Sequence, residues 1–122
     1  MKRSLASGRI ERNARLGGSL CDAIVTPQPG DLTFPILKRL AGPGIAVSDD
    51  EALAAMAAAF SRLRIVLEPG GAVALAAALF HKDEVEGDAV IAVASGGNVD
   101  PAQFGEIDGA ELPVCAGMWA IF

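Results

Sequence analysis

The stretch DAVIAVASGGNVDP, residues 88–101, decides how the fold is read. Its first seven residues show no alternation of apolar and polar side chains, the pattern of a central parallel strand covered on both faces. The run then breaks into Ser95-Gly96-Gly97-Asn98, a turn almost bare of side chains. At Asp100-Pro101 the chain restarts as a helix, with Asp capping and Pro filling the first helical position. Ligands of open α/β sheets sit at the C-terminal ends of strands, so residues 95–98 would lie at that edge.

Upstream, IVLEPGGAVALAAALFHK at 65–82 begins extended and turns helical at Pro69, whose fixed φ suits the first helical position. Nearly every side chain from Ala72 to Leu79 is small or apolar, which predicts a helix buried over most of its surface. His81 and Lys82 stand at its C-terminal end, where positive charge complements the helix dipole, and His81 reads as an end-of-helix residue. Before it, Ser48 and Glu51 have the spacing of a capping box, each side chain satisfying a backbone N–H at the other's position. Leu53, Met56, Ala57, Phe60 and Leu63 follow at helical spacing, predicting an amphipathic helix from 49 to about 62 with one apolar stripe facing the core.

Three prolines and a glycine in TPQPGDLTFP, residues 26–35, forbid regular structure until a short helix starts near Thr33 or Phe34 and runs through Leu40. AGPG at 41–44 ends it, and IAVS at 45–48 reads as a short strand. The order of strand, helix, helix, strand, Gly-rich turn and helix is that of an α/β layer. The apolar end of the chain, 107–122, has no clear period, and its placement as a strand or docked tail stays open.

The 122 residues suit a single domain with one core. Hydrophobic residues make up 52% of the chain but aromatics only 5%, so that core must be built from Ala, Val, Leu and Ile. A net charge of −5 argues against nucleic acid, whose phosphates need clustered Lys and Arg. Lys2, Arg3, Arg9, Arg12 and Arg15 do gather near the N-terminus, but without interleaved aromatics they read as a solvated face. Cys21 and Cys115 fit no metal spacing and allow at most one bridge, so no metal site is expected and a reducing cytoplasm is the default. The N-terminal residues lack the apolar run of a signal peptide, and AVALAAALF is far shorter than the ~20 residues that span a bilayer, which argues against a membrane.

Two places could carry chemistry. Gly96 and Gly97 let backbone approach a ligand closely, and the Ser95 hydroxyl can donate or accept, so the turn could hold a phosphate or a heterocyclic nitrogen. Taken alone the signal is weak, since a Gly-Gly turn after a strand is commonly just a tight turn with no ligand. Glu68 precedes a helix N-terminus, where the dipole stabilises a carboxylate whether or not it has another task.

Taken together, SLCDA, PGDLTFPILKRL, VSDDEALAAM, LEPGGAVALAA and ASGGNVDP, in this order and spacing over residues 3–104, resemble the C-terminal part of threonine dehydratases and serine racemases. These are pyridoxal-phosphate enzymes of fold type II. The resemblance implies a partial three-layer αβα arrangement with parallel strands. It implies that Ser95 hydrogen-bonds the pyridine nitrogen of the cofactor, that Gly96, Gly97 and Asn98 shape that wall of the pocket, and that Glu68 lies near the ring in a supporting role. A neutral hydroxyl at that nitrogen leaves it largely unprotonated and the ring a weaker electron sink than a carboxylate partner would. Weaker sinks suit β-elimination, as in dehydration of threonine or serine to a 2-oxo acid and ammonia.

The family's chemistry also needs a lysine that grips the cofactor aldehyde. Lys2, Lys38 and Lys82 are the chain's lysines, and none stands in the Ser-Phe-Lys-x-Arg-Gly context in which the family places it. The glycine-rich phosphate loop and the acidic metal-holding segment of some members would also lie upstream of the matching region. The resemblance therefore implies a chain with no catalytic residue of its own, not expected to bind pyridoxal phosphate covalently when alone. Its partner would be the missing N-terminal portion, or a second copy through exposed apolar surface. A non-catalytic module from a split gene, acting in assembly or binding, is the alternative. A regulatory small-molecule domain fits less well, since such a domain would not contain SGGNVD.

Overall fold

The computed structural model describes residues 1–105 and Ile107. They form two compact units, Met1–Ala46 and a second that begins at Val47. Among the described residues there are five α-helices, and no helix is long and apolar enough to cross a membrane.

In the first unit, α1 spans Lys2–Ser7 and ends at Gly8, which takes a left-handed conformation (φ 71°). The Lys38 ammonium donates to the Gly8 carbonyl at 2.8 Å, satisfying an acceptor just beyond the helix end. Ser4 is buried, and its hydroxyl accepts the Glu11 N–H at 2.9 Å. The basic residues are exposed and locally engaged: Arg3 donates to the Arg12 carbonyl (2.8 Å) and Asn13 Oδ1 (3.0 Å), and Arg9 pairs with Glu11 at 2.8 Å. α2, Phe34–Leu40, starts where the proline-rich run ends, with Phe34 buried. Both its start and its end agree with the sequence reading.

In the second unit, α3 spans Asp49–Ala58 and opens with the expected capping box. The Glu51 N–H donates to Ser48 Oγ at 3.2 Å, and the Ser48 N–H donates to Glu51 Oε2 at 2.6 Å. A wider π-type turn, Ala59–Leu63, prolongs α3 until Arg64 reverses it in the left-handed region (φ 60°). α4 spans Pro69–Phe80 with proline at its start, as expected, and none of its residues is exposed. α5 spans Pro101–Gly105, and Asp100 Oδ1 accepts the Ala102 N–H at 2.7 Å, the anticipated cap.

The core of this unit lies where α3 packs on α4, around Met56, Ala55, Ala59, Leu67, Ala72, Ala76 and Ile107. It is mostly alanine, so helix backbones come close and Met56 is the one large side chain among the described residues that is wholly buried. The expected stripe on α3 is only partly realised. Met56 is buried and Leu53 and Ala57 pack against the core, but Phe60 and Leu63 are exposed. The π-type turn shifts the angular phase of the helix, so a 3.6-residue period no longer carries the stripe inward. Burial passes instead to Ala54, Ala55, Ala58 and Ala59, while Phe60 stands edge-on to Phe104 with ring centroids 5.2 Å apart.

The expected strands are where the structure departs from the sequence reading. Residues 45–48, 65–68 and 88–94 carry no strand ladder among the described residues, and the three-layer αβα arrangement is not formed within them. Ile91 and Val93 are 89% and 65% exposed, so the stretch read as covered on both faces is open. A strand exists through its neighbours, and an unbroken apolar run records a covered environment without supplying the cover. The tail 108–122, with Cys115, lies outside the described residues.

The Glu51 carboxyl is held below its ordinary range, chiefly by the Ser48 N–H, with the Ser48 hydroxyl and His81 adding to the effect against partial burial. A lowered folded-state value means stability that is present above the unfolded value and lost as pH falls through the folded one. Ser48→Ala is expected to cost about 1 kcal/mol near neutral pH, the usual worth of an N-cap. Urea denaturation checks this, and the variant's loss of stability on acidification should be smaller than that of the parent.

Candidate functional site

The turn at 95–98 is built against the first turn of α4. Glu68, in an extended conformation (φ −80°, ψ 160°), precedes the helix and donates its N–H to the Gly96 carbonyl at 2.9 Å. Its own carbonyl accepts the Gly71 and Ala72 N–H groups at 3.0 and 3.1 Å. One peptide segment therefore both starts the helix and fixes the turn.

The glycines are explained by what surrounds them. A Cβ on Gly71 would stand 2.5 Å from the Gly96 carbonyl oxygen and 2.7 Å from the Gly96 nitrogen, so helix and turn meet backbone to backbone. A Cβ on Gly97 would stand 2.8 Å from the Val66 carbonyl oxygen. A Cβ on Gly96 would run into the Glu68 carboxylate, whose Cδ would be 2.9 Å away. At 71 and 97 the neighbour is backbone, so bareness there is a packing requirement of the chain itself, whereas at 96 the neighbour is the movable end of a side chain.

Ser95, Gly97 and Asn98 are exposed, and Gly96 and Glu68 are half-buried. The structure thus brings together Glu68 and Ser95–Asn98, 27 residues apart in the chain at their nearest, on one open edge. That edge offers a neutral hydroxyl, peptide groups with no intervening side chain at two successive positions, and a carboxylate held against the middle of the turn. Such a donor set fits one rim of a flat, nitrogen-containing ring: the hydroxyl suits an uncharged ring nitrogen, and bare peptide leaves room for the ring. Among the described residues no group of three or more His, Cys, Asp and Glu side chains is arranged to hold a metal ion.

Sequence reasoning did not find Gly71 as the turn's packing partner, although its place beside Pro69 at a helix start is a visible signal. It also placed His81 only at a helix end. The imidazole Nδ1 lies 2.9 Å from Glu84 Oε1 and Nε2 lies 3.1 Å from Glu51 Oε1. The second contact spans 30 residues, beyond any local pattern.

Residues 1–96 match the family described as pyridoxal-phosphate dependent enzyme. The chain belongs to that family. It is 38% identical over 102 residues to the L-threonine ammonia-lyase of Thermotoga maritima, covering 82% of this chain and 25% of that protein. It is 37% identical over 108 residues to the serine racemase of Dictyostelium discoideum, covering 86% and 33%. Among solved structures it is similar to a T.th. threonine deaminase, with a TM-score of 0.75 and 37% identity over 81% of this chain and 33% of that one. The chain spans a quarter to a third of the length of these curated relatives.

Gly→Ala in a helix ordinarily stabilises by up to about 1 kcal/mol. At Gly71 the sign should reverse, with a net loss of roughly 1–3 kcal/mol, because the new methyl meets backbone that cannot swing aside. Gly96→Ala should cost less, since the end of the Glu68 side chain can rotate away. Denaturation midpoints of the two variants test the order.

Proposed function

We propose that residues 1–122 are a single partial domain, the C-terminal third of a pyridoxal-phosphate dependent threonine or serine dehydratase, an ammonia-lyase. In this reading the chain supplies one wall of the cofactor pocket and is not catalytic alone. The observation that carries it is the meeting of Glu68 with the Ser95–Asn98 turn on an exposed edge, in a chain of this family.

Ser95 would donate its hydroxyl to the ring nitrogen, Gly96 and Gly97 would present bare peptide to the ring, and Asn98 would line the same wall. Glu68 supports the turn by lying against Gly96. When bound, pyridoxal phosphate supplies an electron-withdrawing ring that weakens bonds at the substrate's α-carbon. A neutral Ser95 orients that ring without adding charge to it, which favours elimination of a β-hydroxyl over reactions that need a stronger sink. Threonine and serine fit this chemistry, and the names of the similar proteins agree with it.

None of the three lysines is assigned to the cofactor aldehyde. Lys38, for example, is exposed and spends its ammonium on the Gly8 carbonyl. The aldehyde-binding lysine and the phosphate loop would come from an N-terminal portion of the complete, cytoplasmic enzyme. That portion would also cover residues 88–94 and turn them into an inner strand of a three-layer αβα fold. The exposed Ile91 and Val93 support this, because contiguous apolar surface favours association.

Pyridoxal phosphate added to the chain alone should leave the visible spectrum that of the free cofactor. Supplying the N-terminal portion should shift the spectrum and start 2-oxobutyrate formation from threonine. A spectral shift with the chain alone would overturn the division of labour. No activity on complementation would favour a non-catalytic assembly module. In the complemented enzyme, Ser95→Ala should weaken cofactor retention roughly three- to tenfold, the worth of one neutral hydrogen bond. Without its complement the chain should self-associate, and light scattering of a stable monomer at high concentration would contradict that.

A further inference from the structure

We propose that Phe60 is a positioning residue that anchors the downstream end of the Ser95–Asn98 turn, acting through Phe104 on α5. Phe60 is 44% exposed, yet its ring stands edge-on to that of Phe104, with centroids 5.2 Å apart and planes at 88°. This arrangement is favourable for two rings, since the positive edge of one meets the negative face of the other. The π-type turn Ala59–Leu63 makes it: by taking Phe60 off the core stripe of α3, the wider turn carries the ring to α5.

α5 passes this contact on to the turn. The Asp100 carbonyl accepts the Phe104 N–H at 2.9 Å and Asp100 Oδ1 accepts the Ala102 N–H at 2.7 Å, so Asp100–Phe104 is closed as one helical turn. Fixing the Phe104 ring therefore fixes Asp100, two residues beyond Asn98. Phe104 and Val99 also pack against the α3–α4 core, but that core is mostly alanine, and a methyl group offers a ring few atoms to touch. The contact with Phe60 adds a second ring.

The upstream side of the turn is held differently, by the Glu68 N–H on the Gly96 carbonyl at 2.9 Å. Its backbone is thus tied on one side to the start of α4 and on the other to the end of α3, two helices that share one core. In the proposed enzyme Phe60 would set where Asn98 stands, and that part of the inference rests on the dehydratase reading. The anchor itself does not.

Hydrogen–deuterium exchange of the folded chain, with no cofactor, tests the anchor. Phe60→Ala removes the ring, and alanine is the better helix former, so α3 is not weakened through propensity. Exchange at residues 98–105 should quicken roughly three- to tenfold, the worth of one aromatic pair, while residues 52–58 and 72–79 of the α3–α4 core keep their protection. Phe60→Tyr retains the ring and should match the parent. Phe104→Ala should act like Phe60→Ala, and the double variant should go little further than either, because all three remove the same contact. Equal acceleration in the core, or no change at 98–105, would overturn the inference. With the N-terminal portion supplied, Phe60→Ala should also weaken retention of pyridoxal phosphate by roughly two- to tenfold, and Phe60→Tyr should not. Parent-like retention in Phe60→Ala would overturn the positioning role. If the completed parent protein holds no cofactor, the dehydratase reading falls, while the exchange result still decides the anchor.

Discussion

Where the first turn of α4 meets residues 95–98, peptide backbone touches peptide backbone with no side chain between. That contact sets everything near it. Gly71 must be glycine because the Gly96 backbone is there, and Gly97 because the Val66 carbonyl is there, while at Gly96 the neighbour is the movable end of the Glu68 side chain. The bond from the Glu68 N–H to the Gly96 carbonyl closes the arrangement. The same residue that begins α4 therefore positions the turn, and a displacement of the helix would carry Ser95 with it. The backbone that carries Ser95 is in this way tied to the α3–α4 core.

The alanine-rich composition of that core has a consequence for the same point. Ala55, Ala59, Ala72 and Ala76 let α3 and α4 pack closely, with Met56 filling the remaining space. Small side chains have few rotamers, so little conformational entropy is lost in fixing them. The helix that Glu68 precedes is thus held by many small contacts, and the His81 imidazole, 3.1 Å from Glu51, links its far end to the capping box of α3.

Local signals were legible in the sequence and long-range ones were not. The Ser48–Glu51 box, the proline starts at Pro69 and Pro101, and the end of irregular chain before Phe34 depend on neighbours within four residues, and each stands where it was expected. The outer part of the α3 stripe did not follow, because no local rule announces the π-type turn that rotates Phe60 and Leu63 outward. At the site, the turn and Glu68 were visible separately, as a bare loop and a carboxylate before a helix. Their mutual contact, the part played by Gly71, and the two-sided grip on His81 are products of packing between distant segments.

The apolar run at 88–94 is the most instructive departure. Its composition asks for cover on both faces, yet within the described residues Ile91 and Val93 are largely exposed. A sequence evolves in the environment of the whole fold, so a pattern of this kind reports the surroundings a segment is suited to, whichever polypeptide provides them. The chain matches a quarter to a third of the length of its relatives, and the open segment leads directly into the turn bearing Ser95. Cover laid over residues 88–94 would therefore end beside Ser95, the next residue in the chain.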